Sequence, residues 1–357
     1  MKKWSFIFPL LLLFALPLKA EDDVDVNHLI FGHISDAYEW HITTVNDKHI
    51  SIYLPVILRD AEGDWHTFSS KRISHEGTYE NFVLDEESGK LMERLPDGTL
   101  KKPLDLSITK NVLALFINCL VLLLVILLPA RWYRKHDALS EVPTGFTGTI
   151  EMLICMLMDE VIKPCVGQDY KRYSSFLLTL FFFIFVNNIM GIVPFFPGGA
   201  NVTGNIAITM CLAVFTFLAV NIFGNKHYWK DILWPDVPLP LKAPLPLMPI
   251  IEIVGMFTKP FSLMIRLFAN IVAGHIMLLG VVAVVFLTAK LGAALNGGLS
   301  AIAVLFGVFL DVLELLVAFI QAYVFTMLSS VFIGLSRQHL KNINHYVTIN
   351  YSSSRLR

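Results

Sequence analysis

Between residues 249 and 287 the chain reads PIIEIVGMFTKPFSLMIRLFANIVAGHIMLLGVVAVVFL, an apolar stretch that carries Glu252, Lys259, Arg266, Asn270 and His275. An ionisable group inside a membrane is expensive and marks a functional site by default. Arg266 is the sharpest case, because a guanidinium cannot shed its charge and its neighbours on both sides are apolar. A second apolar stretch, residues 299–336, carries Asp311, Glu314 and Gln321. Carboxylates and histidine are the groups that relay protons, so proton transfer is the chemistry these side chains suit.

Helical periodicity sorts them by face and depth. At ~100° per residue, Glu252, Lys259, Arg266 and Asn270 fall in one narrow stripe. Glu252 lies ~21 Å before Arg266 along the axis, and His275 ~13 Å beyond it on another face. Glu314 and Gln321 share a face, with Asp311 one turn away. If the two stretches run antiparallel, His275 meets Glu314 at similar depth and Gln321 meets the level of Arg266. The pattern predicts an outer polar zone (Asp311, Glu314, His275) and an inner one (Glu252, with Lys259 nearby). A permanent cation stands between them. That cation blocks direct passage of protons, so transfer needs a mobile carboxylate, which a partner must supply. Each residue also has a plainer reading. Arg266 could pair with Glu252 or Glu314, and His275 could only donate a hydrogen bond. Lys259 is close enough to the inner edge to snorkel, and Asn270 orients the arginine or packs.

The elements that hold these groups are read from hydropathy. Hydrophobic residues make up 55% of the 357 residues and charged residues 16%; with a mean hydropathy of +0.62, this predicts an all-α polytopic membrane protein. The net charge of -1 points to no partner class. No basic cluster with interleaved aromatics suggests nucleic acid. Residues 1–20 read as a signal peptide, with Lys2 and Lys3 ahead of an apolar run and Ala20 before an acidic stretch; an uncleaved anchor is the alternative. Residues 21–105 are a polar, exported extension with alternating pieces such as HISIYLPVIL and a turn at residues 60–63, which suggest short strands. His28, His33 and His41 in HLIFGHISDAYEWH fit no standard metal site. Cys119, Cys155, Cys165 and Cys211 have no disulfide or metal spacing.

The first span is expected at residues 111–130. Arg131, Arg134 and Lys135 after it put its end in the cytoplasm. Residues 148–168, broken by Glu151, Asp159, Glu160 and Lys163, read as an interfacial amphipathic helix. Spans two and three are expected at 173–193 and 202–223. Asn187 and Asn188 in the former serve interhelical hydrogen bonding or, less favoured, line a polar path. A Pro-rich stretch, 234–249, leads into the long fourth stretch, which is either broken near Pro260 or strongly tilted. A turn at 290–298 follows, then the last helix at 299–336, ending among Arg337 and Lys341. The result is five membrane-crossing helices plus an interfacial helix, the last two long and tilted, with N outside and C inside. The organisation expected is 1–20 signal peptide, 21–105 exported extension, 106–340 transmembrane domain and 341–357 cytoplasmic tail.

At the stretch KPFSLMIRLFAN (residues 259–270), the AGH ending at His275, and QAYVF beginning at Gln321, the sequence resembles subunit a of F-type ATP synthases. NNIMGIVP, residues 187–194, and the Pro-rich approach to Glu252 support it, and the resemblance covers roughly residues 108–340. It implies a non-catalytic stator subunit without cofactors, in a bacterial inner membrane. Its implied partners are the c-ring, the peripheral stalk b subunits, the lipid bilayer and protons. It further implies that Arg266 attracts the ring's deprotonated carboxylate and separates two half-channels. Glu314 and His275 match the outer-channel positions, where many bacterial members carry the two types exchanged. Glu252 matches an acidic inner-channel position, and Gln321 the glutamine that faces the arginine. The long exported extension departs from the shorter N-termini typical of the family. The alternatives are a stand-alone secondary transporter, against which stands the lack of internal repeats, and a membrane scaffold.

Overall fold

The computed structural model describes residues 36–45, 48–85, 89–137, 141–193, 196–234, 247–288 and 293–337. The expected signal peptide, the cytoplasmic tail, His28, His33 and most of the Pro-rich stretch lie outside the described residues. Two units can be separated, one within Ser35–Gly274 and Leu313–Arg357, the other within His275–Val312.

The larger unit starts with short antiparallel strands. Strands β1 (Glu39–Val45) and β2 (Lys48–Tyr53) form a hairpin. Strands β3 (Pro55–Arg59), β4 (Trp65–Ser69) and β9 (Leu104–Asp105) form a sheet in the order β4-β3-β9, and β5 (Thr78–Tyr79), β6 (Phe82–Leu84), β7 (Leu91–Arg94) and β8 (Leu100–Lys101) form another in sequence order. Helix α1, Lys71–Glu76, follows β4. The alternation read from the sequence becomes a core of Val56, Leu58, Phe68, Ile73, Phe82 and Leu91. The turn at 60–63 is closed by Asp60, whose Oδ1 accepts the N–H groups of Gly63 at 2.7 Å and Asp64 at 2.8 Å. Gly63 has φ 103°, a left-handed backbone that favours glycine.

This β region is tied to the helical region at the start of helix α2, Lys110–Tyr133. The Lys110 N–H donates to Ala37 O at 2.8 Å, and the Asn111 N–H to Asp36 Oδ1 at 3.0 Å. Trp40 of the hairpin is buried with Ala114, Ala200 and Val202. It meets Phe196 edge-on at 5.2 Å.

Helix α3 (Gly145–Met156), a π-helical turn (Leu157–Ile162), α4 (Lys163–Val166) and a 3-10 turn (Gly167–Asp169) then lead into α5, Tyr170–Ile192. The single helix expected at 148–168 is thus a composite run. Its apolar side, including Ile150, Leu157, Val161, Ile162 and Val166, is in the core, while Asp159, Glu160 and Lys163 are exposed and Lys163 pairs with Asp159. Helix α6, Ile206–Ile222, begins later than the expected 202, because Asn205 caps it by accepting from the Ala207 N–H at 3.0 Å. The short helix α7, Lys226–Leu233, follows at a bend of 101°.

Helix α8 spans Leu247–Thr288 without the break considered near Pro260, which lies inside it. At ~1.5 Å per residue that is ~63 Å, twice the ~30 Å hydrocarbon thickness. Helix α9, Ala293–Ser336, starts earlier than expected. The Gly297–Gly298 pair read as a turn is helical. Glycine costs a helix only ~1 kcal/mol relative to alanine, and in apolar surroundings a backbone gains by closing its own hydrogen bonds. In the smaller unit, Thr288 Oγ1 donates to Asn296 Oδ1 at 3.1 Å across the ends of the two helices. Among the described residues, four helical stretches are long and apolar enough to cross a membrane, five if α6 and α7 count as one bent span. The core of the larger unit is built from α3 to α6, α8 and α9, with Leu177, Phe181, Ile184, Leu263, Leu267, Phe325 and Ile333 at its centre.

Candidate functional site

Helix α8 has two sides in the larger unit. Leu263, Met264, Leu267 and Ile271 are buried, whereas Phe261, Ile265, Arg266, Ala269 and Asn270 are exposed. Lys259 shares the exposed side and Glu252 is partly exposed, as the stripe drawn from periodicity requires. Arg266 therefore projects from an apolar helix on the side the described residues leave open.

Helix α9 presents the complementary pattern. Its buried stripe is Glu314, Ala318, Gln321, Ala322, Phe325, Thr326, Ser329, Ser330 and Ile333. Small side chains of this kind let helices approach closely where lipid offers no hydrophobic drive. At Gly334 a β-carbon would fall 1.9 Å from Cys165 O, so only glycine fits there. Glu314 and Gln321 share this inward stripe, as their spacing of seven predicts. Glu314 lies against Gly274 of α8, where a β-carbon would sit 3.2 Å from Glu314 Oε1. His275, partly exposed, and Asp311, exposed, lie in the unit His275–Val312.

The asparagines of α5 are interhelical connectors, the favoured of their two readings. Asn118 Nδ2 of α2 donates to Asn187 Oδ1 at 2.9 Å. Asn188 Nδ2 donates to Ala318 O of α9 at 3.1 Å, and its Oδ1 accepts from Thr203 Oγ1 at 2.7 Å. All three asparagines are buried. Thr216 Oγ1 lies 3.4 Å from Ser329 Oγ.

Near the start of α8 a small surface pocket is lined in part by Thr216, Asn221, Tyr228, Lys259 and Pro260. Tyr228 Oη donates to Asn221 Oδ1 at 3.1 Å, and its hydroxyl is in electrostatic reach of Glu252. Lys259 Nζ lies 5.8 Å from the centroid of Phe332. Pro260 supplies no donor to the carbonyl of Met256, and both residues face this pocket. Tyr228 and Asn221 escaped the sequence reading because nothing in their spacing distinguishes them from ordinary helix residues.

The end of α9 is locked by Arg337. Its Nε donates to Asp169 Oδ2 at 3.0 Å, and its Nη1 to Phe223 O and Asn225 Oδ1, each at 3.1 Å. Asn225 returns a bond to Arg337 O at 3.1 Å. The sequence flagged Arg337 only as a topology signal.

Fold and site together define a polytopic helical membrane protein that carries a permanent cation on the open side of a very long helix. The family model described as ATP synthase A chain matches residues 112–334, more than half of the chain. The chain belongs to that family. A second model, a domain of unknown function (DUF8433), matches residues 29–107. ATP synthase subunit a of Pelodictyon phaeoclathratiforme is 39% identical over 246 residues, covering 68% of this chain and 68% of that protein. ATP synthase subunit a 2 of Chlorobaculum tepidum is 39% identical over 247 residues, covering 66% and 64%. ATP synthase subunit a of Myxococcus xanthus is 38% identical over 259 residues, covering 70% and 78%.

Proposed function

We propose that this chain is the proton-translocating, non-catalytic stator subunit of an F-type ATP synthase, standing beside a c-ring and held by peripheral stalk b subunits. It crosses a bacterial inner membrane five times, with the residues before α2 on the periplasmic side and the end of α9 in the cytoplasm. The observation that carries this reading is the exposed Arg266, amid apolar side chains. A guanidinium held in such a place calls for a negative partner.

A carboxylate on a rotating ring fits that demand. At ~4 Å and an effective dielectric constant of ~20 the attraction is ~4 kcal/mol, about 3 pKa units on the carboxylate. The ring site therefore stays ionised opposite Arg266 and takes up a proton once it moves away. An attraction of this size holds the charge yet remains breakable as the ring turns. Asn270, one turn on and on the same open side, orients the guanidinium, and Gln321 on the inward stripe of α9 serves the same step. Glu252, with the pocket at Tyr228 and Lys259, serves the inner half-channel. Glu314 serves the outer one, and His275 and Asp311 join it by their sequence positions.

The test is ATP-driven acidification of membrane vesicles carrying Arg266→Ala, with assembly of the complex measured in parallel. Loss of pumping with assembly intact is the expected result. Normal pumping would make the arginine a structural charge and revive a transporter or scaffold role.

A further inference from the structure

The β4-β3-β9 sheet has a correct inner side and an anomalous outer one. Val56, Leu58 and Phe68 point into the core. In water the other face of such a sheet is polar. Here, beside the exposed Thr67 and Ser69, it exposes Trp65, Leu104 and Leu106, at 53%, 54% and 57%. Trp65 and Leu104 both pair with Arg59, one on each side, so the three lie on one rung. The Arg59 guanidinium sits 5.8 Å from the Trp65 ring centroid.

The place of this face in the fold supplies its occupant. The β3 ladder continues past β9, with the Leu106 N–H donating to Ile57 O at 3.0 Å and the Ile108 N–H to Pro55 O at 3.1 Å. Two residues later α2 begins, the 24-residue helix that is apolar enough to cross a membrane. At ~3.3 Å per residue, Leu106 is at most ~13 Å from Lys110, about twice the ~5–7 Å depth of one headgroup layer, so the strand end stays close to the membrane surface. Because the same strand pairs with both Leu104 and Ile108, the face is hydrogen-bonded to the start of the span and cannot drift far from it. Tryptophan, leucine and arginine together are the composition that partitions into a membrane–water interface.

We propose that the outer face of this sheet rests on the lipid surface from which α2 starts, with Trp65, Leu104 and Leu106 among the headgroups and upper acyl chains and Arg59 toward lipid phosphate. The inference requires α2 to be a span, and does not depend on the ion-translocation reading.

The test uses the full chain in its complex, with the four cysteines replaced by serine, in vesicles of phosphatidylethanolamine and phosphatidylglycerol. A nitroxide is placed at Leu104→Cys, and for reference at Asp97→Cys, on the exposed turn between β7 and β8. Collision with oxygen, which enters lipid, is compared with collision with a water-soluble nickel chelate. The ratio at Leu104 is expected to exceed that at Asp97 severalfold, because an interfacial residue lies at the headgroup–acyl boundary. Equal ratios with ready access to nickel mean a solvated face and overturn the proposal. Low collision with both reagents means a protein covers the face and overturns it equally. If Leu104→Cys does not assemble, Thr67→Cys on the same outward face is read in its place. Accessibility is measured whether or not the complex pumps, so loss of the ion-translocation reading leaves this result standing.

Discussion

Glu314 of α9 stands against Gly274 of α8, so close that a β-carbon on the glycine would come 3.2 Å from the carboxylate oxygen Oε1. A contact of that length forces a neighbour to give by a few tenths of an ångström. A flexible glutamate can do so for a methyl group, but not for a branched side chain without turning its carboxylate elsewhere. Gly274→Ala is expected to keep most ATP-driven pumping, whereas Gly274→Val lowers it by ~10-fold, equivalent to ~1.4 kcal/mol, in complexes that still assemble. Equal activity in both variants would show that the position of Glu314 is not set by this glycine.

Asn188 joins Ala318 O and Thr203 Oγ1, bonds that tie α5 to its neighbours. Replacing it with leucine removes both bonds. Interhelical hydrogen bonds within membranes average ~0.6 kcal/mol and reach ~1.7, so Asn188→Leu should destabilise the chain by ~1–2 kcal/mol, read as a lower unfolding midpoint in detergent. Pumping per assembled complex should hardly change. Abolished pumping at unchanged stability would instead put Asn188 on the proton path.

Arg337 gathers Asp169, Phe223 O and Asn225 where α9 ends. Planar forked donors make these bonds together, and a lysine cannot. Arg337→Ala and Arg337→Lys should both loosen the last turns of α9, the alanine variant by ~1–3 kcal/mol. Hydrogen exchange at residues 330–337 is the direct reading, and unchanged protection in Arg337→Ala would refute the clamp.

His66 bridges Asp60 at 2.9 Å and Glu80 at 3.2 Å, one carboxylate on each ring nitrogen. The hydrogen bond to Asp60 is the main reason the imidazole is held above its ordinary value of 6.5. The bond to His66 is the main reason Asp60 lies below 3.8. A raised histidine stabilises fully below its unfolded value and loses that contribution as pH rises through the folded one. The lowered aspartate stabilises above its unfolded value and loses its share as pH falls through the folded one. The β region should therefore be firmest between about pH 4 and 6.5 and soften as the imidazole deprotonates. Exchange protection of β3 and β4, followed from acid to mildly alkaline pH in the full chain, should show that slope in the native sequence and lose it in His66→Gln. Identical slopes would exclude the histidine as the cause.

The sequence alone was enough for the helical architecture and the stripe on α8. Lipid forces a spanning backbone to satisfy itself, so apolar length translates directly into helix. A period of 3.6 then sets which side Arg266 and Asn270 share, and they are exposed together. Helix ends were less legible. Asn205 delays α6, and Gly297 and Gly298 are absorbed into α9, because caps and glycines act through local geometry that hydropathy does not register. The partners of the buried asparagines, the clamp at Arg337, the pocket joining Tyr228 to Asn221, and the seating of Trp40 against Phe196 were decided only in the tertiary structure. Each unites residues far apart in the chain, such as Asn188 with Ala318 and Arg337 with Asp169. A pattern along one element says which way a side chain faces. What it meets there depends on how the elements pack.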